Sequence, residues 1–171
     1  MLSPKLTNAL SNQVNAEYYS AYLYLTMSAS ADKMGLKGAA NWLFVQAREE
    51  MAHGTHIFKY ILERDATPAF AAIAQPPSSF DNINEIFKEV LTHERKVTAS
   101  INALSTLAMQ ESDHAVYQFL MWYVNEQVEE ESSATEILDK LRLIGDNEGH
   151  LVTLDNELAA RVFVHPFPAD V

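Results

Sequence analysis

The sequence predicts an all-α fold: four long helices packed as a bundle with one long crossover, followed by a short fifth helix. Two observations carry this prediction. Apolar residues recur at alternating three- and four-residue spacing along four long stretches, the pattern of bundle-facing positions. The breaks between stretches are brief except for residues 65–80, where Pro68, Pro76 and Pro77 exclude a continuous helix.

Each element has its own signals. Ser3 followed by Pro4 reads as an N-cap with proline at the first helical position, opening a helix to about residue 32. Met34, Gly35 and Gly38 are assigned to the turn, and a second helix is expected from about Ala39 to Arg64. Ser79 or Asp81 can cap a third helix to about Gln110, and Ser112 or Asp113 a fourth to about Leu143, stopped by Gly145. A fifth, over about residues 147–161, carries Leu151, Leu154 and Leu158 on one face. The tail, 162–171, contains Pro166 and Pro168 and is expected to be irregular. Short links make the first two and the next two helices antiparallel hairpins. The 16 residues of 65–80 reach ~50 Å when extended, against ~42 Å for a 28-residue helix, so they can run the length of the bundle. The second and third helices would then be parallel.

With 171 residues, 48% of them apolar and 20% charged, the chain suits one globular domain, with its bundle over about 4–144. Twelve basic against 23 acidic residues leave a net charge of −11. That speaks against nucleic acid or anionic lipid as partner and suits a protein that attracts cations. The absence of cysteine excludes disulfides, thiolate zinc sites and cysteine-ligated iron–sulfur clusters. Met1-Leu2-Ser3-Pro4-Lys5 has no signal layout and no apolar run spans a membrane, so a cytoplasmic protein is expected.

Chemistry enters where the seams are broken. The first runs Leu6, Leu10, Gln13, Glu17, Ala21 (or Ser20), Tyr24; the second Leu43, Gln46, Glu50, His53, Ile57, Tyr60. The third runs Ile83, Phe87, Val90, Glu94, Val97, Ile101, Leu104; the fourth Val116, Leu120, Tyr123, Gln127, Glu130, Ala134, Ile137, Leu141. Every carboxylate falls near its helix's midpoint, so packing brings all of them to one depth. A core does not hold several bare carboxylates without a cation among them. Glu50 and His53, three residues apart, lie on one helix face, so a carboxylate and an imidazole can converge on one ion. Several carboxylates with one imidazole suit iron, manganese or zinc, and two carboxylates can bridge an ion pair. The competing reading is a polar network paired through amides and water, but one histidine and one glutamine cannot satisfy four carboxylates.

Glu49, Glu126 and Glu129 adjoin the seam set. They are either a second, more exposed cation site or part of a solvated acidic run. Tyr24 could hydrogen-bond a ligand or supply an electron; alternatively it is a core tyrosine. Trp42 and Trp122 read as packing.

These residues resemble the bacterial non-haem ferritins over essentially the whole chain. The likeness runs through Asn12-Gln13-Val14-Asn15-Ala16-Glu17, Glu49-Glu50-Met51-Ala52-His53, His93-Glu94, Trp122-Tyr123-Val124-Asn125-Glu126-Gln127 and Glu129-Glu130, then into the short last helix. The resemblance implies a ferritin-like bundle that oxidises Fe(II) with O2 or peroxide at an intra-subunit di-iron ferroxidase centre. It also implies storage of the ferric mineral inside a homo-oligomeric shell of about 24 subunits. On the family's pattern Glu17, Glu50 and His53 hold the first iron, with Glu50 bridging. Glu94 and Glu130 help hold the second, with Gln127 beside it. Glu49, Glu126, Glu129 and Glu130 correspond to a third iron site facing the cavity, and Tyr24 to the tyrosine near the centre. Bacterioferritins instead carry a second Glu-x-x-His where this chain has Gln127 and Glu130. Their haem methionine corresponds to Met51, which alone does not imply haem, and none is expected. DNA-coating mini-ferritins usually lack the fifth helix and place their site between subunits. Rubrerythrins need cysteine. Two rivals outside iron storage are a di-iron oxygenase, which needs room for an organic substrate, and a metal-free structural bundle.

Overall fold

The computed structural model describes residues 1–77 and 79–167; the end of the expected tail, from Pro168, lies outside them. Five helices follow in order: α1 Pro4–Lys33, α2 Lys37–Glu63, α3 Ile83–Gln110, α4 His114–Ile144 and α5 Glu148–Leu158. The described residues contain no strand.

Four of the helices start where a side chain meets an orphan amide. Ser3 Oγ accepts from the Leu6 amide at 3.2 Å, with Pro4 at the first helical position. At α3 the cap is Asn82, not Ser79 or Asp81: its Oδ1 accepts from Glu85 N at 3.0 Å while Glu85 reaches back to Asp81 N at 2.6 Å. This reciprocal pair satisfies two amides at once, which neither expected residue does. Asp113 caps α4 through Val116 N at 3.1 Å and also pairs with Arg64, 2.8 Å away, at the end of α2. Gly145, at φ 55°, ends α4, and Asn147 caps α5.

Helix α2 has no cap of its own, because Leu36 precedes it. Instead Asp155 of α5 accepts from Gly38 N at 3.0 Å and Ala39 N at 2.8 Å. The fifth helix thus supplies the anion that the α2 N-terminus attracts. Gly38 consequently lies inside α2 rather than in the turn. A Cβ there would stand 1.6 Å from the Asp155 carbonyl oxygen. Gly38→Ala is expected to undock α5 at about 3 kcal/mol. Limited proteolysis should then cut within 146–161 while helicity in α1–α4 persists; an uncut α5 would contradict this. Helix α5 ends three residues earlier than the expected 161, since Arg161 turns away to pair with Glu49.

Cross-links fix the directions. Tyr18 meets Thr55 and Ser28 meets Ala40, so α1 and α2 are antiparallel. Ser100 bonds Gln13 and His93 bonds Ser20, so α1 and α3 are antiparallel too. Helices α2 and α3 are therefore parallel, joined by a crossover that runs along α1. There the Ala69 amide donates to Ser11 Oγ at 3.1 Å and Asn15 Nδ2 to the Ala71 carbonyl at 3.1 Å. Phe80 arrives against Met34's end of the bundle.

The apolar core is divided in two. One half gathers Leu23, Met27, Leu43, Phe87, Val90, Ile137 and Leu141 with Leu154 and Leu158 of α5. The other gathers Leu6, Leu10, Val14, Ile57, Ile61, Ile101, Leu104 and Leu120. Between them lies a layer of buried polar side chains: Gln13, Glu17, Gln46, Glu50, His53, Glu94, Gln127 and Glu130. No described helix is long and apolar enough to cross a membrane. Of the seam residues, Tyr60 departs from expectation by lying half-buried, stacked on Phe119.

Candidate metal centre

The polar layer holds four carboxylates, one from each long helix, at 1–5% exposure. Glu17, Glu50 and His53 each offer a ligand atom within 4.8 Å of the others'. Glu50 and His53 sit one helical turn apart on α2, with Nδ1 of the imidazole 3.6 Å from a Glu50 oxygen. Across the layer Glu94 accepts from the Tyr24 hydroxyl, and its other oxygen accepts from Gln127 Nε2 at 3.1 Å. Glu130 accepts from Gln46 Nε2 at 2.8 Å, and Glu17 from Gln13 Nε2 at 2.8 Å.

The donors are nearly all neutral. Among the described residues no Lys or Arg pairs directly with any of the four carboxylates. Burial therefore drives their protonation upward. Glu94 rises to about 7, chiefly through desolvation. Glu50 and Glu130 rise well above the usual carboxyl range, again through desolvation first and then the charge of Glu94. Glu17 is also raised by burial, partly offset by its hydrogen bond from Glu50. Glu50 feels the charges of Glu94, Glu17 and Glu130 together. Burial lowers His53 to about 3, so its imidazole is neutral at pH 7 and can donate a lone pair. Its Nε2 is buried without a hydrogen-bond partner. Four buried carboxylates, a neutral imidazole and no paired cation make a donor set that fits divalent iron, manganese or zinc.

The structure brings Glu17, Glu50 and His53 into one group, and Tyr24, Glu94 and Gln127 into another. Glu130 faces Glu94 and Glu50. Glu49, Glu126 and Glu129 do not close into a comparable group. They line the rim instead: Glu49 and Glu126 are half-buried, Glu129 is exposed, and Glu126 feels the charges of the other two.

Four contributors were absent from the sequence-derived set. Gln13 and Gln46 orient Glu17 and Glu130; the signal was present, since both break their apolar seams. Arg161 pairs with Glu49 at 2.6 Å, and Phe167 packs with Trp122 and Tyr123 around His53 and His56. Neither carries a local pattern. Trp122 does pack, edge-on to His53 with centroids 5.3 Å apart. Tyr123 donates to the His53 carbonyl at 3.1 Å.

A one-crossover helical bundle with a buried carboxylate–imidazole layer defines a class of intra-bundle metal proteins. Comparison with known proteins narrows it. A family model for the ferritin-like domain matches residues 7–144. The bacterial non-heme ferritin of Staphylococcus aureus is 42% identical over 163 residues, covering 95% of this chain and 98% of the relative. That of Staphylococcus epidermidis is 43% identical over the same length. Among solved structures, an open-pore ferritin from the hyperthermophilic archaeon Archaeoglobus fulgidus superposes with a TM-score of 0.94 at 48% identity, covering 95% of this chain and 100% of that one. An engineered closed form of it gives 0.94 at 48% identity, covering 96% and 100%. The chain belongs to the ferritin family.

Proposed function

We propose that this protein stores iron, oxidising Fe(II) at the buried layer and holding the ferric product as mineral inside a homo-oligomeric shell of about 24 subunits. The observation that carries the reading is the set of four buried carboxylates and a neutral imidazole with no paired cation, in a ferritin-family chain. Glu17, Glu50 and His53 receive one Fe(II), and Glu94 and Glu130 a second, with Gln127 beside it. Glu50 bridges the two. Each Fe(II) gives one electron to O2 or peroxide, and the carboxylates stabilise the added positive charge. Carboxyls that hold protons in the metal-free centre, Glu94 among them, release these as iron arrives. Tyr24, raised far above its usual range mainly by burial, stays protonated and holds Glu94 in place.

Glu49, Glu126 and Glu129, with Glu130, form the third iron position on this reading. Met51 is half exposed beside Leu25 and Phe44, which suits a subunit-contact methionine rather than a haem ligand. A cytoplasmic setting follows from the same reading. The core halves packed on both faces of the layer favour iron handling over an oxygenase acting on an organic substrate.

The test is aerobic Fe(II) addition to metal-free protein, with ferric absorbance followed in time and sedimentation before and after. A fast phase complete at about two irons per subunit, followed by mineral growth in a particle of constant outer size, is expected. Slow oxidation with no fast phase would overturn the ferroxidase assignment; a monomer or dimer would overturn the shell.

A further inference from the structure

The chain turns just after α5 to deliver one cation to the acidic rim. Arg161 Nη2 lies 2.6 Å from Glu49 Oε2, and the guanidinium stacks over Trp42, 4.4 Å from the ring centroid. The pair is largely shielded from water, with side chains 25% and 17% exposed. Arg161 Nη1 is buried and has no partner. The positive charge also reaches Glu126 and Glu130, lowering both carboxyls against the burial that raises them. The backbone is pinned separately: Asn41 Nδ2 donates to the Arg161 carbonyl at 2.9 Å and to the Ala159 carbonyl at 3.3 Å. The guanidinium can therefore swing away while its main chain stays docked.

We propose that Arg161 is a tethered counter-ion of the acidic rim, holding the place of a third metal ion among Glu49, Glu126, Glu129 and Glu130 and weakening that position for metal until it is displaced. The inference rests on the proposed metal centre and deepens it. Carboxylates gathered there without a cation would repel one another, and a cation on a flexible stem relieves this. A divalent ion entering from the layer offers twice the charge and can take the carboxylates over. The arginine then keeps its stack on Trp42 or turns to solvent. The price of that exchange is a lower third-ion affinity, which favours onward release over retention.

Calorimetric titration of the metal-free, assembled protein with Zn(II), which binds without redox chemistry, separates the steps. In Arg161→Gln the third step should tighten by about tenfold, the scale expected for removing one nearby charge, while the two tight steps, which share only Glu130 with it, change less. Arg161→Lys, which keeps the charge, should remain near wild type. A third step unchanged or weakened in Arg161→Gln overturns the proposal. Failure of the reading beneath it looks different: the two tight steps would then be missing in wild type or survive Glu50→Ala. Should Arg161→Gln fail to assemble, a Zn(II)-soaked wild-type crystal decides the matter. An ion on Glu49 with the guanidinium displaced supports the proposal; Glu49 still paired at saturating Zn(II) overturns it.

Discussion

Replacing Glu50 by alanine is expected to remove the fast phase of Fe(II) oxidation altogether, the largest loss of any single substitution in the protein. Glu50 is the carboxylate whose protonation responds to Glu17, Glu94 and Glu130 at once, which suits the bridging role proposed for it. Glu17 groups with Glu50 and His53, and Glu94 with Tyr24 and Gln127. On the proposed assignment, losing Glu50 deprives both irons of a ligand and of a common anchor. The rate should fall by more than the roughly hundredfold that loss of an outer-shell partner produces at metal sites. Stopped-flow measurement with about two Fe(II) per subunit reads it directly. A fast phase retained within about tenfold of wild type would remove Glu50 from the bridging position.

The second large effect is on stability without metal, and its sign can be worked out. Glu17, Glu50, Glu94 and Glu130 all have folded values above the ordinary 4.5, Glu94 at about 7. The folded protein thus holds protons that the unfolded chain has released. Stability from these neutral carboxyls is complete below about pH 4.5 and is lost as pH rises through their folded values. The shielded imidazoles, two buried and one half-buried, act oppositely. His53 at about 3, and His56 and His93 at about 4, lie below the ordinary 6.5, chiefly through burial. Their contribution is complete above pH 6.5 and is lost as pH falls toward 3–4. Between 4.5 and 6.5 the two sets oppose; above 6.5 the carboxylates act alone.

The thermal midpoint of metal-free protein should therefore fall from about pH 6.5 to about pH 8. Zn(II) at a hundred times its dissociation constant should add about 2.7 kcal/mol per site and flatten the slope. Glu50→Gln, which removes the charge at nearly constant volume, should raise the metal-free midpoint at about pH 8 while abolishing fast oxidation. Calorimetry of wild type and variant across the range checks both; a midpoint rising with pH in the metal-free protein would show that the carboxylates find another cation.

Much of this was legible in one dimension. Helix existence, the parallel α2–α3 arrangement and the polar layer follow from period, proline placement and seam breaks, because a buried helix face must repeat every three or four residues. The residues of the buried polar layer were legible for the same reason: Glu17, Glu50, His53, Glu94, Gln127 and Glu130 occupy positions where the pattern demands Leu or Ile. Boundaries were less so. Asn82 outcompetes Ser79 and Asp81 as a cap because Glu85 lies three residues on, a relation that pattern alone weighs poorly.

The rim was the least legible. Glu49, Glu126 and Glu129 were readable as acidic but not as partnered, since Arg161 comes from 112 positions away along the chain from Glu49. The same holds for Asp155 capping α2 from 117 positions beyond Gly38, and for Phe167 closing the aromatic cluster around His56. Periodicity records which face of a helix is buried, so the sequence by itself determined the bundle and the depth at which its carboxylates meet. It does not record which distant chain segment arrives at a half-exposed surface. Only the tertiary structure decided the counter-ion at the rim, the cap on α2 and the pairing of Gln46 with Glu130 and of Gln127 with Glu94, because these depend on side-chain reach between elements rather than on burial along one.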